Sequence, residues 1–437
     1  MRPPEALEGV LESIEALGFE EAEVLHKKGR SRTMRFSEFG ESTSLRQEEG
    51  WAARAGDSRR SFFYCASGAP RAETRWPDAD GSGLRLPSAR PALPWTAPST
   101  LDAPLIGESE ARGFFTGLAR ELDNELPGAR LVAGHLDDGS SESILLSSRD
   151  IATTVRYRTA ALHLEAAGPD EGSRSLSLDL VERDARRFSP AALARRLADL
   201  LLVAERGTAR PRDRGEFLLA PSVVVGLISA LNTLWLGPRA EKRATDMIDR
   251  RGRLASSDFT LIDDGRLSGG ILEAPFDGEG QPTREIVLVE EGSFRQPLLA
   301  WWQAGANPRS ASGCSLRPGW RDLPRPGPTH LYLQPDPRIR AASLIGSLTR
   351  GYYLIDLTGR PQVDSSSGRF AAPVCGFAIE GGRPTGTVAG AWLVGSIASF
   401  LGGIVAKARD LTFSIVNGGM VGSPSVLVKG LELRQRT

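Results

Sequence analysis

From Glu5 to Leu17 the apolar residues Leu7, Val10, Leu11, Ile14 and Leu17 recur every three or four positions, opposite Glu8, Glu12 and Glu15. That spacing predicts an amphipathic helix covering something with one face. Short strand-like segments follow between Ala22 and Gly68 (AEVLHKKGR, SRTMRFSE, ESTSLRQE, GWAARAG, RRSFFYCASG), punctuated by Gly, Ser and Asp as in an antiparallel meander. The same order then returns. Glu110 to Leu126 has helical spacing through Phe114, Phe115, Leu118 and Leu122, and ARLVAGHL, SESILLSS, IATTVRYRT, AALHLEA and SLSLDLVE read as strands. Asp137, Asp138 and Gly139 are expected to turn between the first two of these. A third helix takes Ser189 as its N-cap and Pro190 as its first residue and runs to Glu205. A helix-plus-meander that occurs twice hints at an internal duplication.

Pro70 to Pro104 is proline-rich and without period, and reads as an irregular surface excursion. Arg206 to Arg214 is charged and poor in apolar residues, which makes it the best boundary candidate. Beyond it the chain turns to β-rich segments such as SDFTLIDD, REIVLVEEG, THLYLQP and GYYLIDLTG, with helical character only at Ser222 to Trp235 and Ala389 to Ala408. The predicted class is therefore α+β: helices plus antiparallel sheet in residues 1–208, then a mainly-β domain in 209–437.

With 40% hydrophobic and 25% charged residues over 437 positions, the chain sits in the globular range, and wholesale disorder is disfavoured. Fifty-four basic residues balance 54 acidic ones, so no bulk pull toward nucleic acid or anionic lipid is expected. The apolar stretch Val388 to Val405 is broken by Gly390, Gly395, Gly402 and Gly403, poor material for a membrane span. Cys65, Cys314 and Cys375 are odd in number and far apart, which fits a reducing cytoplasm better than a disulfide framework.

Candidate chemistry is sparse. There is no GxSxG elbow, P-loop, GxGxxG fingerprint or HExxH pair, and His26, His135, His163 and His330 have no partner at helical spacing. The carboxylates Asp263 and Asp264 precede Gly265, while Asp277 and Glu279 alternate with Gly278 and Gly280 in PFDGEGQPTR. Paired acids suit proton sharing or Mg²⁺, but Asp-Gly steps are also turn material, and the turn reading is preferred. Cys314 is read as a plain thiol without a base, and Trp301, Trp302 and Trp320 as packing residues rather than a peptide groove.

Three stretches nevertheless resemble the TldD/PmbA family, known for a two-subunit peptidase and once described as modulators of DNA gyrase. They are SSDFTLIDDGRLSGGILEAPFDGEGQPTREIVLVEEGSFRQPLLAWWQA, GYYLIDLTGRPQVDSSSGRFAAPVCGFAIEGGRPTGTVAGAWLVGSI and NGGMVGSPSVLVKGLELR. TldD-type members carry an HExxxH helix whose histidines bind zinc and whose glutamate activates water. The similar segment here is APSVVVGLISALNTLWLG, which puts Ser229 and Leu234 where the histidines would stand and Ala230 where the glutamate would stand. Leu and Ala offer no lone pair, and one hydroxyl cannot hold Zn²⁺. No Cys follows Cys375 to match the family's further thiolate ligand.

The resemblance therefore implies the PmbA (TldE) type, a subunit with no cofactor, vestigial at Ser229, Ala230 and Leu234 and not catalytic alone. Such a subunit would form a homodimer or a heterodimer with a TldD-like zinc peptidase, enclose unfolded peptide, and bind neither nucleic acid nor membrane. The alternative is a stand-alone peptide-binding or scaffold protein without peptidase activity. Asp277, Gly278, Glu279 and Gly280 stay open as a structural or functional loop.

Overall fold

The computed structural model describes residues 5–72, 74–80, 83–92, 94–170, 175–205, 215–249, 252–304, 313–364 and 366–435. The expected boundary at 206–214 lies outside the described residues. In the N-terminal part α1 (Glu5–Glu15) leads into β1 (Glu21–Ser37), β2 (Gly40–Gly56) and β3 (Ser61–Ser67). Then α2 (Glu108–Glu125) leads into β4 (Arg130–Ser147), β5 (Ala152–Ala167) and β6 (Ser175–Glu182), and α3 (Pro190–Glu205) follows. These strands form one antiparallel sheet in the order β3-β2-β1-β4-β5-β6, so the two helix-plus-meander units meet at β1 and β4 and run outward symmetrically.

The short segments expected from sequence are fused into strands of 16 to 18 residues. The turn expected at Asp137, Asp138 and Gly139 does not exist: all three lie inside β4, paired with Ala161, Ala160 and Thr159 of β5. Asp138 is wholly buried and accepts both terminal nitrogens of the equally buried Arg158, as well as the Ile106 N–H at 2.6 Å. A carboxylate satisfied by a tertiary partner has no need of the local backbone, so the turn preference is overridden.

Alternation along the strands divides the sheet into two faces. Leu7, Val10 and Ile14 of α1 pack on Ala22, Val24 and Trp51. Phe115, Leu118 and Leu122 of α2 and Leu193 and Leu197 of α3 pack on Leu136, Leu162 and Leu164. The interleaved positions, among them Glu23, Leu25 and Lys27, point away from the helices toward the C-terminal part. The 70–104 stretch is irregular as expected, with a 3₁₀ turn at Ser99–Asp102, but it is not a free excursion. Trp76 stacks edge-on against Trp51 and Tyr64, and the Ser88 and Pro94 carbonyls accept from Gln281 and Arg266 of the C-terminal part.

The C-terminal part runs β7 (Glu216–Leu219), α4 (Pro221–Ala230), α5 (Pro238–Asp246), β8 (Leu261–Asp264), β9 (Glu285–Glu290), β10 (Ser293–Phe294), β11 (Ser315–Leu316), β12 (Arg325–Pro326) and β13 (His330–Leu333). It continues with α6 (Ala341–Ser347), β14 (Arg350–Leu357), β15 (Gln362–Asp364), β16 (Arg369–Glu380), β17 (Arg383–Ser396), α7 (Ile397–Gly402), β18 (Ile404–Lys407), β19 (Thr412–Val416), β20 (Gly419–Ser423), β21 (Val426–Val428) and β22 (Glu432–Gln435). One sheet has the order β10-β9-β8-β13-β20-β19; a larger one runs β18-β21-β7-β14-β16-β17-β22. The helix expected over Ala389 to Ala408 is mostly strand: β17 pairs with β16 through Ser396 and with β22 through Val394, and only Ile397–Gly402 is helical, capped by the Ser396 hydroxyl. Glycines at 390 and 395 weaken a helix there, while cross-strand partners at Leu393 and Val394 favour the sheet. Among the described residues no helix is long and apolar enough to cross a membrane.

Candidate functional site

α4 starts with Pro221 at its first position and buries Val223, Val224, Val225, Leu227 and Ile228, so it is a core helix rather than an amphipathic one. It stops at Ala230, and a 3₁₀ turn, Asn232–Leu234, takes over. The Ser229 hydroxyl donates to the Val225 carbonyl at 2.6 Å, back along its own helix. Leu234 is buried in the C-terminal core beside Trp235, whose indole N–H reaches the Ile228 carbonyl at 3.3 Å. Ser229, Ala230 and Leu234 thus divide between two elements, and none offers a free donor of the kind zinc takes. Among the described residues no three His, Cys, Asp or Glu side chains are grouped as a metal ion would require.

The histidines are committed elsewhere. His26 meets Glu49 at 2.9 Å, and His163 meets Asp179 at 2.7 Å and Glu165 at 3.3 Å. His330 donates from Nδ1 to the Asp264 carbonyl and accepts the Leu272 N–H at Nε2, and burial lowers its pKa to about 4. Cys314 is wholly buried, and burial pushes the Cys375 thiol up to about 12, so neither is an activated nucleophile. Trp320 packs flat against Gly50 of β2, Trp302 gives its indole N–H to the Pro324 carbonyl, and Trp301 gives its backbone N–H to Glu279.

Asp277, Gly278, Glu279 and Gly280 do form a closed turn. Asp277 Oδ1 accepts from the backbone N–H of Glu279 and Gln281, each at 2.9 Å, and Oδ2 from that of Ser315 at 3.0 Å. Gly280 holds φ at +72°, the left-handed region. Yet this turn is interior: Asp277 is 8% exposed and Glu279 1%. Burial, then the neighbouring Glu279, raises the Asp277 pKa; burial raises that of Glu279, with Arg54 pulling the other way.

Glu279 belongs to a charge cluster that joins the two parts of the molecule. Glu23 of β1 accepts from Arg54 of β2, its register partner, at 2.6 Å, and from Arg317 of the C-terminal part at 2.7 Å. Burial alone would raise Glu23; the two guanidinium groups outweigh it and hold its pKa at about 2. A second bridge joins Arg183 to Glu273 at 3.0 Å and to the Gly270 carbonyl. Beside the first cluster lies a cavity of about 210 Å³, roofed by β1, β4 and β5 and floored by 272–283 and 315–318. A larger cleft of about 620 Å³ opens at the N-terminal end of α4, between α3, β6, β14 and β19, and carries Asp179, Asp199 and Arg196.

Residues 213–435 match the family model described as the PmbA/TldA metallopeptidase C-terminal domain. The chain belongs to the PmbA/TldD family. Its fold is that of TldE from Thermococcus kodakarensis (TM-score 0.84, 19% identity, 98% of this chain and 100% of that one). A putative modulator of a DNA gyrase from Thermotoga maritima superposes with a TM-score of 0.82 at 15% identity, over 98% of this chain and 99% of that one. A metalloprotease TldD homolog of Buchnera aphidicola is 28% identical over 153 residues, 35% of this chain and 31% of the relative. One from Haemophilus influenzae is 30% identical over 138 residues, 31% of this chain and 28% of the relative. The chain thus aligns with less than a third of the length of these curated relatives.

In this PmbA/TldD fold the positions read from sequence fall into two places: Ser229, Ala230 and Leu234 near the core of the C-terminal part, and 277–280 at the contact between parts. What sequence reading missed is the N-terminal contribution to that contact: Glu23, Lys27, Arg54 and Tyr157. The one signal was Glu23, Leu25 and Lys27 at alternate positions of a strand, with Ser141 and Ser143 on another.

Proposed function

We propose that the chain is a TldE-type subunit without metal chemistry of its own, and that it shapes a peptide chamber with a zinc-bearing TldD-type partner. One observation carries the reading. At Ser229, Ala230 and Leu234, the positions that the resemblance pairs with HExxxH of TldD-type relatives, this chain has a hydroxyl bonded to its own helix, a methyl group and a core leucine, a donor set that does not fit zinc. Two domains, 1–208 and 209–437, with vestigial positions at Ser229, Ala230 and Leu234, complete the proposal. The subunit's own contribution would be enclosure and backbone pairing: β6 and β19 end their sheets and border the larger cleft, and an edge strand can hold an extended peptide.

The test is to assay an unstructured peptide with the isolated chain, with a TldD-type relative, and with the mixture. Cleavage that needs both chains supports the proposal. Turnover by the isolated chain refutes it, and peptide binding that no partner converts to turnover supports the scaffold alternative instead.

A further inference from the structure

The sheet face that roofs the 210 Å³ cavity carries an unusual set of side chains. A covered sheet face is normally apolar, and Leu25, Leu145 and Val155 meet that rule. Interleaved with them stand Ser141, Ser143, Thr153, Tyr157 and Thr159, whose hydroxyls make no hydrogen bond within the described residues. Lys27 joins them. Its ammonium donates to the backbone carbonyls of Pro318 and Arg317 and enters no ion pair among the described residues. Arg317, by contrast, is already paired with Glu23, so Lys27 is the cation left over at this cavity. The opposite wall is mixed: Leu272, Phe276 and Leu316 give it an apolar patch, beside the polar Asp277, Thr283, Ser315 and Thr329.

Interior polar groups are almost always satisfied, and five hydroxyls without a protein partner around one void, beside an ammonium that Asp322 and Glu48 reach only beyond ion-pair distance, call for a polar, negatively charged occupant. The volume is below the roughly 300 Å³ at which drug-sized pockets begin, so the occupant is small. A single ammonium matches a monoanion better than a phosphate dianion, because the Asp277 carboxyl on the floor opposes each negative charge added. We propose that this cavity binds a small carboxylate with an apolar body, its carboxylate on Lys27 and the strand hydroxyls and its hydrocarbon against Leu272, Phe276 and Leu316. The site is independent of the subunit role proposed above and stands or falls apart from it.

The experiment is isothermal titration of the full chain with N-acetyl-leucine, with N-acetyl-leucinamide, and with inorganic phosphate. N-acetyl-leucine should bind saturably, with the amide weaker by about tenfold or more because the charge-assisted bonds are gone. Lys27→Met should abolish the difference between acid and amide, and Tyr157→Phe should weaken the acid, while Lys28→Met, at an exposed position, should leave both unchanged. Melting curves report whether each variant is folded; if Lys27→Met is not, Tyr157→Phe and Ser143→Ala read the same site. Equal binding of acid and amide, no binding of the acid at millimolar concentration, insensitivity to the variants, or phosphate binding alone would each overturn the proposal.

Discussion

At the level of single residues, two features of the acidic loops carry consequences that can be measured. Gly280 sits at φ +72°, and a Cβ there would lie 2.6 Å from Ile151 Cγ2. Gly280→Val should therefore cost about 1–3 kcal/mol in a denaturant titration through backbone strain, with crowding added. Gly278 lacks the positive φ, but its Cβ would meet the Ser315 carbonyl oxygen at 2.8 Å, so its substitution acts through packing rather than strain. Asp263 is 1% exposed, and burial lifts its pKa from 3.8 to about 7 despite the Thr329 N–H and hydroxyl that it accepts, each at 2.8 Å. The folded protein keeps this proton where the unfolded chain has released it. Stability should fall as pH rises from about 4 to about 7, and Asp263→Asn, which has no proton to lose, should flatten that part of the Tm profile. Parallel profiles for the two proteins would remove Asp263 as the cause.

At the level of elements, the N-cap at Ser189, the helix-plus-meander order and the amphipathic α1 and α2 were legible because their signals are local: a cap, a proline, a 3.6-residue period. The errors have an equally physical origin. Asp138-Gly139 reads as a turn unless Arg158, twenty residues on, is known to occupy the carboxylate. Val388 to Val405 is apolar enough for either structure, and cross-strand partners decided for a strand. α4 was legible as a helix, but its stop at Ala230 and the burial of Leu234 were not. Leu234→Ala should cost about 2–5 kcal/mol in urea unfolding, the behaviour of a core leucine. A loss below about 0.5 kcal/mol, the size usual for surface substitutions, would place it outside the core.

At the level of the whole molecule, the N-terminal sheet offers one face to its own helices and the other to the C-terminal part, and polar contacts join the two. The Glu23 carboxylate takes both Arg54 and Arg317, so removing it leaves two buried guanidinium groups without their hydrogen-bonded carboxylate, with only Glu279 near them. Glu23→Ala should cost about 3–5 kcal/mol and separate the calorimetric unfolding of the two parts into distinct transitions. A single transition shifted by less than about 1 kcal/mol, the scale of a surface ion pair, would show that the cluster does not couple them.

Local pattern alone determined the α+β class, the repeated unit and the turn at 277–280, since each depends on residue type and near spacing; the lack of zinc donors at 229, 230 and 234 follows from residue type once the family resemblance picks out those positions. Tertiary structure alone decided that the turn is interior, that Glu23 and Arg317 meet across 294 positions, and that hydroxyls of β4 and β5 share a cavity with Lys27. Contacts between residues so distant in sequence leave no periodic trace along the chain, because they are set by how the sheet's second face docks.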